Sequence, residues 1–270
     1  MKHIISLSGG VGSYFTLERV LKKYNKDDVI AVFCDTLFED GDLYRFLEDI
    51  EKHFDIEIKR ICVGKTPFEL AFDENFVFNS RVANCSKKLK SKPFTKWLKG
   101  EYKPDECILY LGIDWTEMHR CKAIVKNYAP YRVEFPMCHQ PFISKYEMIE
   151  ELRKEGIKVP RLYELGFAHN NCGGFCFKAG LGHFKNLYDK DPERYRQMEN
   201  KEQELIRRIH EKRGNNTPYG ILKRRGKPYT LKQLRESIES KDKARQLSID
   251  EICDVGGCGC FIDEEQTESE

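Results

Sequence analysis

Three groups of residues in this chain have the types and spacing to do chemistry. The first is Ser8-Gly9-Gly10-Val11-Gly12-Ser13, which follows a short apolar run at residues 3–7 and precedes a helical pattern. Its glycines let backbone N–H groups approach an anion, Ser8 and Ser13 add hydroxyl donors, and the following helix contributes its positive end. The spacing matches neither the Walker phosphate loop, which closes on Gly-Lys-Ser/Thr, nor the dinucleotide pattern of three spaced glycines. A plain strand-to-helix turn that needed glycine is the structural alternative.

The second group is drawn from the 11 cysteines. Cys172-Gly-Gly-Phe-Cys176 has chelating spacing, with glycines that let the backbone wrap closely around a metal. Cys258-Gly-Cys260, preceded by Gly256-Gly257, is a second glycine-flanked pair. Two such pairs can form the four-sulfur site of zinc or of an iron–sulfur cluster, and a pair of unliganded thiols is the alternative. Cys258 and Cys260 have a catalytic reading as well, as a nucleophile or persulfide carrier of lowered pKa, which only the family resemblance given below implies. Cys34, Cys62 and Cys107 sit in or beside apolar runs and read as inert core residues. His169 and His183 flank the first pair and read as packing or surface residues.

The third group is the segment from Lys223 to Tyr229, Lys-Arg-Arg-Gly-Lys-Pro-Tyr, within a strongly basic stretch at 207–235. A compact cationic turn with an aromatic residue suits the phosphate backbone of tRNA or DNA. A solvated loop balancing the acidic final residues is the alternative. Total charge does not decide between them, because 46 Lys and Arg against 44 Asp and Glu leave a formal net charge of +2.

The elements that must position these groups follow from hydrophobic periodicity. Strand-like runs at 3–7, 29–34, 56–63 and 107–112 alternate with helical patterns at 14–24, 43–54, 68–75, 94–98 and 117–127. That rhythm predicts an α/β fold with a parallel sheet covered on both faces, and a ligand at the carboxyl edge of its strands. From about residue 136 the rhythm changes to a helix at 145–155 capped by Ser144, a turn-rich approach to the cysteines at 160–166, and a long charged helix at 188–212. The predicted organisation is an α/β domain over 1–140, a helical cysteine-bearing portion over 141–262 and an acidic tail over 263–270. No run approaches the roughly 20 apolar residues of a membrane span, and the opening residues lack the features of a secretory signal. A cytoplasmic chain with reduced cysteines and no membrane partner is therefore expected.

Several segments, taken in order, resemble the PP-loop (adenine nucleotide alpha-hydrolase-like) superfamily, and within it the PAPS/APS reductase-like family. The loop at 8–13 is similar to the PP-loop Ser-Gly-Gly-x-x-Ser. Val32-Phe33-Cys34-Asp35-Thr36 with Glu39 and Tyr44 resembles the family's second-strand region. Asn84-Cys85-Ser86-Lys87-Lys88-Leu89-Lys90, leading to Pro93, resembles its Cys, Lys, Pro segment. Leu111-Gly112-Ile113-Asp114 with Glu117 and Arg120 resembles its Gly-Ile-Arg stretch, and residues 162–167 before Cys172 resemble its approach to the later cysteines. The resemblance covers roughly residues 3–178. It implies a Rossmann-like, HUP-type sheet and an adenine nucleotide (ATP, PAPS or APS) bound by Ser8, Gly9, Gly10, Val11, Gly12, Ser13, Asp35, Thr36, Gly112, Asp114 and Arg120. It also implies a [4Fe-4S] cluster on Cys85, Cys172 and Cys176, with Cys258, Cys260 or nothing as the fourth ligand. Zinc held by Cys172, Cys176, Cys258 and Cys260 is the alternative.

Two functional versions follow from the resemblance. In a sulfurtransferase, the loop binds ATP, an acceptor oxygen on a nucleic acid or small molecule is adenylylated, and sulfur from a thiol or sulfur donor displaces AMP. In a sulfonucleotide reductase, a thiol attacks the sulfate sulfur of PAPS or APS. Val11 and Gly12 stand where the usual loop carries Lys and Asp, which favours the sulfurtransferase reading less for its ATP cleavage than for its nucleotide binding. Lys87, Lys88 and Arg81 are the candidates to replace the missing cation. A degenerate, non-catalytic PP-loop module that binds nucleotide or nucleic acid is the third reading, and a homodimer is an open assembly state.

Overall fold

The computed structural model describes residues 1–240. These fall into two compact units, one of residues 1–64 and 86–161, the other of residues 65–85 and 162–240. Residues 65–85 therefore belong with the later, cysteine-bearing part of the chain, and 141–161 with the sheet. No helix among the described residues is long and apolar enough to cross a membrane.

The first unit is an α/β layer structure around five parallel strands. They are β1 (Lys2–Leu7), β2 (Val29–Asp35), β3 (Ile58–Cys62), β4 (Cys107–Leu111) and β5 (Arg132–Glu134), in the order β3-β2-β1-β4-β5. Ile4 pairs with Ile30 on one side and Leu109 on the other. Strands buried on both faces read as continuous apolar runs, as β4 does with all five residues buried. The helices of this unit are α1 (Val11–Leu21), α2 (Gly41–Phe54), α4 (Lys92–Glu101), α5 (Cys121–Tyr128) and α6 (Lys145–Lys154).

Helix formation here has local causes. In α2, Leu43, Phe46, Leu47 and Ile50 recur at the helical period and are fully buried, and the Asp40 side chain accepts from the Asp42 N–H at its start. In α6, Ser144 and Glu147 form the reciprocal capping box, so the predicted cap is present. On another face, Ile4, Val32, Leu109, Phe94, Leu98 and Ile124 pack in one apolar cluster. Helix α4 is preceded by one π-helical turn, Lys87–Ser91, a geometry that re-aims side chains relative to a regular helix.

In the second unit, α3 (Pro67–Glu74), α8 (Leu181–Lys190), α9 (Pro192–Arg213) and α10 (Leu231–Glu239) surround aromatic side chains. Phe68, Phe78, Phe175, Phe177 and Phe184 meet with ring centroids 4.9–5.4 Å apart. Two short strands, β6 (Leu222–Arg224) and β7 (Lys227–Tyr229), pair antiparallel. A four-residue helix, α7 (Arg161–Glu164), spans the change from one unit to the other.

Four differences from the sequence expectations have physical reasons. The single helix expected at 188–212 is interrupted at Asp191, whose side chain accepts from the Arg194 N–H while Pro192 opens α9 at a position that needs no N–H. The β6–β7 hairpin forms where only a basic loop was expected, since Arg225 and Gly226 both take left-handed dihedrals, as a two-residue hairpin turn requires. Strand β5 is three residues long at a sheet edge, too short to leave a periodic signal. Cys62 ends the other edge strand and is exposed rather than a core residue, whereas Cys34 and Cys107 are buried as expected.

Candidate functional site

The strand order sets the location. From β1 the chain moves to β2 on one side, and after β3 it crosses back to β4 on the other side of β1. Connections that diverge in this way leave a crevice at the carboxyl ends of the two strands, where open α/β sheets hold ligands. The loop from Ser8 to Ser13 leaves β1 at that point and enters α1.

Within the loop the hydroxyls brace the backbone. Ser13 Oγ donates to the Gly10 carbonyl at 2.8 Å and accepts from the Ser8 N–H at 3.1 Å, with Ser8 Oγ 3.2 Å away. Gly10 occupies the N-cap of α1 and provides no side-chain cap, so the amino end of the helix is a positive end suited to an anion. The β4 end presses against this loop. A Cβ on Gly112 would lie 2.8 Å from the backbone N and Cα of Ser13, so only glycine permits this approach. The residues at positions 11 and 12 are explained by the same packing. Val11 is 1% exposed, inside the core, and a Cβ on Gly12 would sit 3.2 Å from the Gly112 carbonyl. The loop thus offers an anion the positive end of α1 rather than a side-chain charge.

The ends of β2 and β4 carry the polar residues. Asp35 Oδ1 accepts from the Tyr44 hydroxyl and from the Leu37 N–H, each at 2.8 Å. The Thr36 hydroxyl donates to Glu39 Oε1 at 2.9 Å, and the same oxygen receives the Lys90 ammonium at 3.1 Å. This ion pair is buried, with side-chain exposures of 8% for Lys90 and 0% for Glu39. Arg161 pairs with Asp40. After β4, Asp114 Oδ1 accepts from the Thr116 N–H at 2.8 Å and opens the short turn Trp115–Arg120. Arg120 is buried and pairs with Glu117.

The sequence-predicted nucleotide residues Ser8 to Ser13, Asp35, Thr36, Gly112, Asp114 and Arg120 therefore follow the ends of β1, β2 and β4 along one edge of the sheet. Within the protein, Asp114 acts as a cap and Arg120 as half of an ion pair. The fold seats the Lys90 ammonium beside the end of β2, paired with Glu39. Its partnership with Glu39 had no signal in local spacing, because the π-helical turn that delivers Lys90 is a backbone feature.

The candidate thiols divide by burial. Burial pushes the Cys34 and Cys138 thiols up to about 12 and raises that of Cys107 as well, so these three stay protonated and inert at neutral pH. Cys85, Cys172 and Cys176 all lie in the second unit and are partly exposed. Cys172, Gly173 and Gly174 have φ of +49°, +56° and +74°, a left-handed turn that would strain most side chains at the latter two positions. The turn is held by Gly174 N–H to the Asn171 carbonyl at 3.1 Å, Phe175 N–H to the Cys172 carbonyl at 2.9 Å, and the Arg194 guanidinium to that carbonyl at 3.0 Å. His183 Nε2 lies 2.9 Å from the Gly174 carbonyl, which can only accept, so this nitrogen carries the proton. Burial lowers the His183 pKa, and its place between Phe167 and Phe184 makes it a packing residue. Among the described residues, no three His, Cys, Asp or Glu side chains gather as a metal-binding group. Cys258 and Cys260 lie outside the described residues.

No family model matches the chain. Among curated proteins, an uncharacterized protein of Methanocaldococcus jannaschii is 27% identical over 203 residues, covering 73% of this chain and 40% of the relative. The chain spans less than half the length of that relative.

Proposed function

We propose that the first unit is a PP-loop nucleotide site that binds an adenine nucleotide for sulfur chemistry, with an iron–sulfur-dependent sulfurtransferase as the favoured version. The observation that carries the reading is the seating of the glycine loop against Gly112 where the strand order diverges. That close contact fixes backbone donors at the edge where α/β sheets hold ligands. The polar residues that end β2 and β4 lie along the same edge.

For the cofactor, donor type alone carries the proposal, thiols that suit a thiophilic metal, because the described cysteines are not gathered as a metal-binding group. Cys85, Cys172 and Cys176 are partly exposed thiols in one unit, unlike the inert buried ones. They are the residues that would hold a [4Fe-4S] cluster, or zinc, with Cys258 and Cys260 as further ligand candidates. A bound cluster would supply a sulfur-handling iron. Homodimer formation belongs to the same proposal only as an assembly state.

The test is calorimetric titration of anaerobically purified protein with ATP, AMP and PAPS, together with iron, zinc and sulfide analysis. Binding of ATP with release of AMP and pyrophosphate supports the sulfurtransferase. Thiol-dependent sulfite release from PAPS or APS supports the reductase, and tight binding without turnover supports a non-catalytic module. Absence of binding by any of these nucleotides overturns the reading.

A further inference from the structure

In the second unit, the cations of the hairpin region stand without counter-charges. Among the described residues, Lys212, Arg213, Lys223, Arg224, Arg225 and Lys227 have no carboxylate within ion-pair distance. Cations on either side of them do. Arg207 pairs with Glu211, Lys232 with Glu236, and Arg235 with Glu199. Arg81, Lys178, Lys185 and Arg208 of the same unit also lack a carboxylate partner among the described residues, but they are scattered along the chain, whereas the end of α9 and the β6–β7 hairpin gather six such cations in two short segments.

Two of these cations, Arg213 and Arg224, are nonetheless held in place. The Arg224 guanidinium lies over the Tyr229 ring, 5.4 Å from its centroid, and that of Arg213 lies over Tyr219 at 5.7 Å while donating to its hydroxyl at 2.8 Å. The two arginine–tyrosine stacks are neighbours, because the Gly220 backbone crosses that of Tyr229 so closely that a Cβ would fall 2.5 Å from the Tyr229 carbonyl oxygen. Beneath them, the fully buried Glu202 of α9 accepts from the Ile221 N–H at 2.8 Å and the Leu231 N–H at 2.7 Å, fastening both flanks of the hairpin. Arg225 and Gly226 make the tip, with Lys227 exposed beside it.

We infer that the β6–β7 hairpin and the end of α9 form a binding surface for the phosphodiester backbone of a nucleic acid. Arginines stacked on aromatic rings lose little freedom when they grip phosphate, and their planar forks match its oxygens. A cluster of exposed and half-buried cations without carboxylate partners gains most from a polyanion whose own counterions are released on contact. The surface names the partner of the nucleic-acid version of the proposed function, on which its biological purpose rests. The binding itself is measured independently of the nucleotide loop.

The experiment is fluorescence anisotropy of the full chain with labelled 20-nucleotide single-stranded RNA, single-stranded DNA and duplex DNA, from 50 to 300 mM salt. The triple variant Lys223→Gln/Arg225→Asn/Lys227→Gln is run in parallel. We expect salt-dependent binding to at least one of the three, weakened at least tenfold in the variant. The slope of log K against log salt should fall by about 2 for three lost phosphate contacts to a single strand. Preference among the three probes identifies RNA, DNA or shape as the recognised feature. Unchanged affinity in the variant, or no salt-dependent binding to any probe, overturns the inference. So does displacement of the oligonucleotide by polyglutamate, or by a peptide of residues 263–270, at equal charge concentration, which would assign the surface to an acidic polypeptide. Lys227→Gln alone serves as the second variant should the triple one unfold. ATP titration of the same samples separates failure of this surface from failure of the nucleotide reading.

Discussion

The two charged regions of this molecule treat their cations in opposite ways. Along the carboxyl edge of the sheet, Lys90, Arg120 and Arg161 each meet a carboxylate, from Glu39, Glu117 and Asp40 respectively. At the end of α9 and the hairpin, six cations meet none among the described residues. Charge at the sheet edge is spent on building the edge, and what remains for a ligand there is polarity of the backbone. Charge at the hairpin is left for something outside the protein. The difference teaches that a count of basic residues near a candidate site is a poor guide to anion binding, and that the presence or absence of their partners is a better one.

The largest effect that would sharpen this contrast is on the Lys90–Glu39 pair. Removing one partner from a buried pair leaves an uncompensated charge, which costs about 3–5 kcal/mol. Glu39→Gln and Lys90→Met should each lower stability on that scale in denaturant titrations with an unchanged slope. The double variant should recover a large part of the loss, because it removes both desolvation penalties. Single variants within about 1 kcal/mol of the parent would show that the pair is hydrated and that the two regions differ less than described.

A second test addresses the loop. Gly112→Val would force a side chain into the backbone of Ser13, an overpacking cost of about 1–3 kcal/mol. The loop would also shift, so affinity for ATP should fall by at least tenfold in calorimetry. Gly100→Ala is the control. A Cβ there meets nothing within 4 Å, so stability should hold or rise slightly. Equal nucleotide affinity in Gly112→Val and parent would remove the close contact as the basis of the proposed site.

The legible and illegible parts of the fold divide along the same physical line. Strands β1, β2 and β4 were readable because burial on both faces leaves an unbroken apolar run, and the α2 helix because its apolar stripe repeats locally. The glycine loop was readable because its serines and glycines stand in consecutive positions between a strand and a helix. The Lys90–Glu39 pair was not, since its members are far apart in sequence and a π-helical turn sets their register. Cys62 was misread because its apolar neighbours Ile61 and Val63 suggested a core, whereas the position ends an edge strand. The Asp191–Pro192 break was visible in residue types, but the charged periodicity on both sides hid it. The hairpin carried its turn signal, Arg225-Gly226, between segments too short for alternation to show. The PP-loop reading itself rests on residue order along the chain, and nucleotide binding remains its test.

Glu202 gives a smaller effect that belongs to the hairpin side. Burial pushes its carboxyl up to about 7, despite two backbone N–H groups that favour the ionised form. A carboxyl raised above its ordinary value contributes stability that is full below about 4.5 and is lost as pH rises through 7. Thermal stability of the second unit should accordingly decline between pH 5 and pH 8. Glu202→Gln should flatten that decline. It should also cost about 1–3 kcal/mol in acid, because an amide supplies one acceptor where two N–H groups are waiting. A melting temperature independent of pH in both proteins would place Glu202 outside the folding balance of the hairpin.

The smallest effect is the most discriminating for the comparison. Neutralising Arg225 and Lys227 removes charges that have no carboxylate partner, so stability should change by less than about 0.5 kcal/mol, and relief of like-charge repulsion gives the change a favourable sign. Neutralising Arg207, which is paired with Glu211 on an exposed helix face, should cost a few tenths of a kcal/mol in the opposite direction. Raising salt to 1 M should erase both differences, since exposed charges are screened within about 3 Å there. If Arg225 and Lys227 instead prove stabilising at low salt, they are serving the fold, and the hairpin would have to be regarded as a structural element like the sheet edge. If they are neutral or mildly unfavourable, their retention without partners is a cost that the fold does not require, which is the behaviour expected of charges held for a ligand.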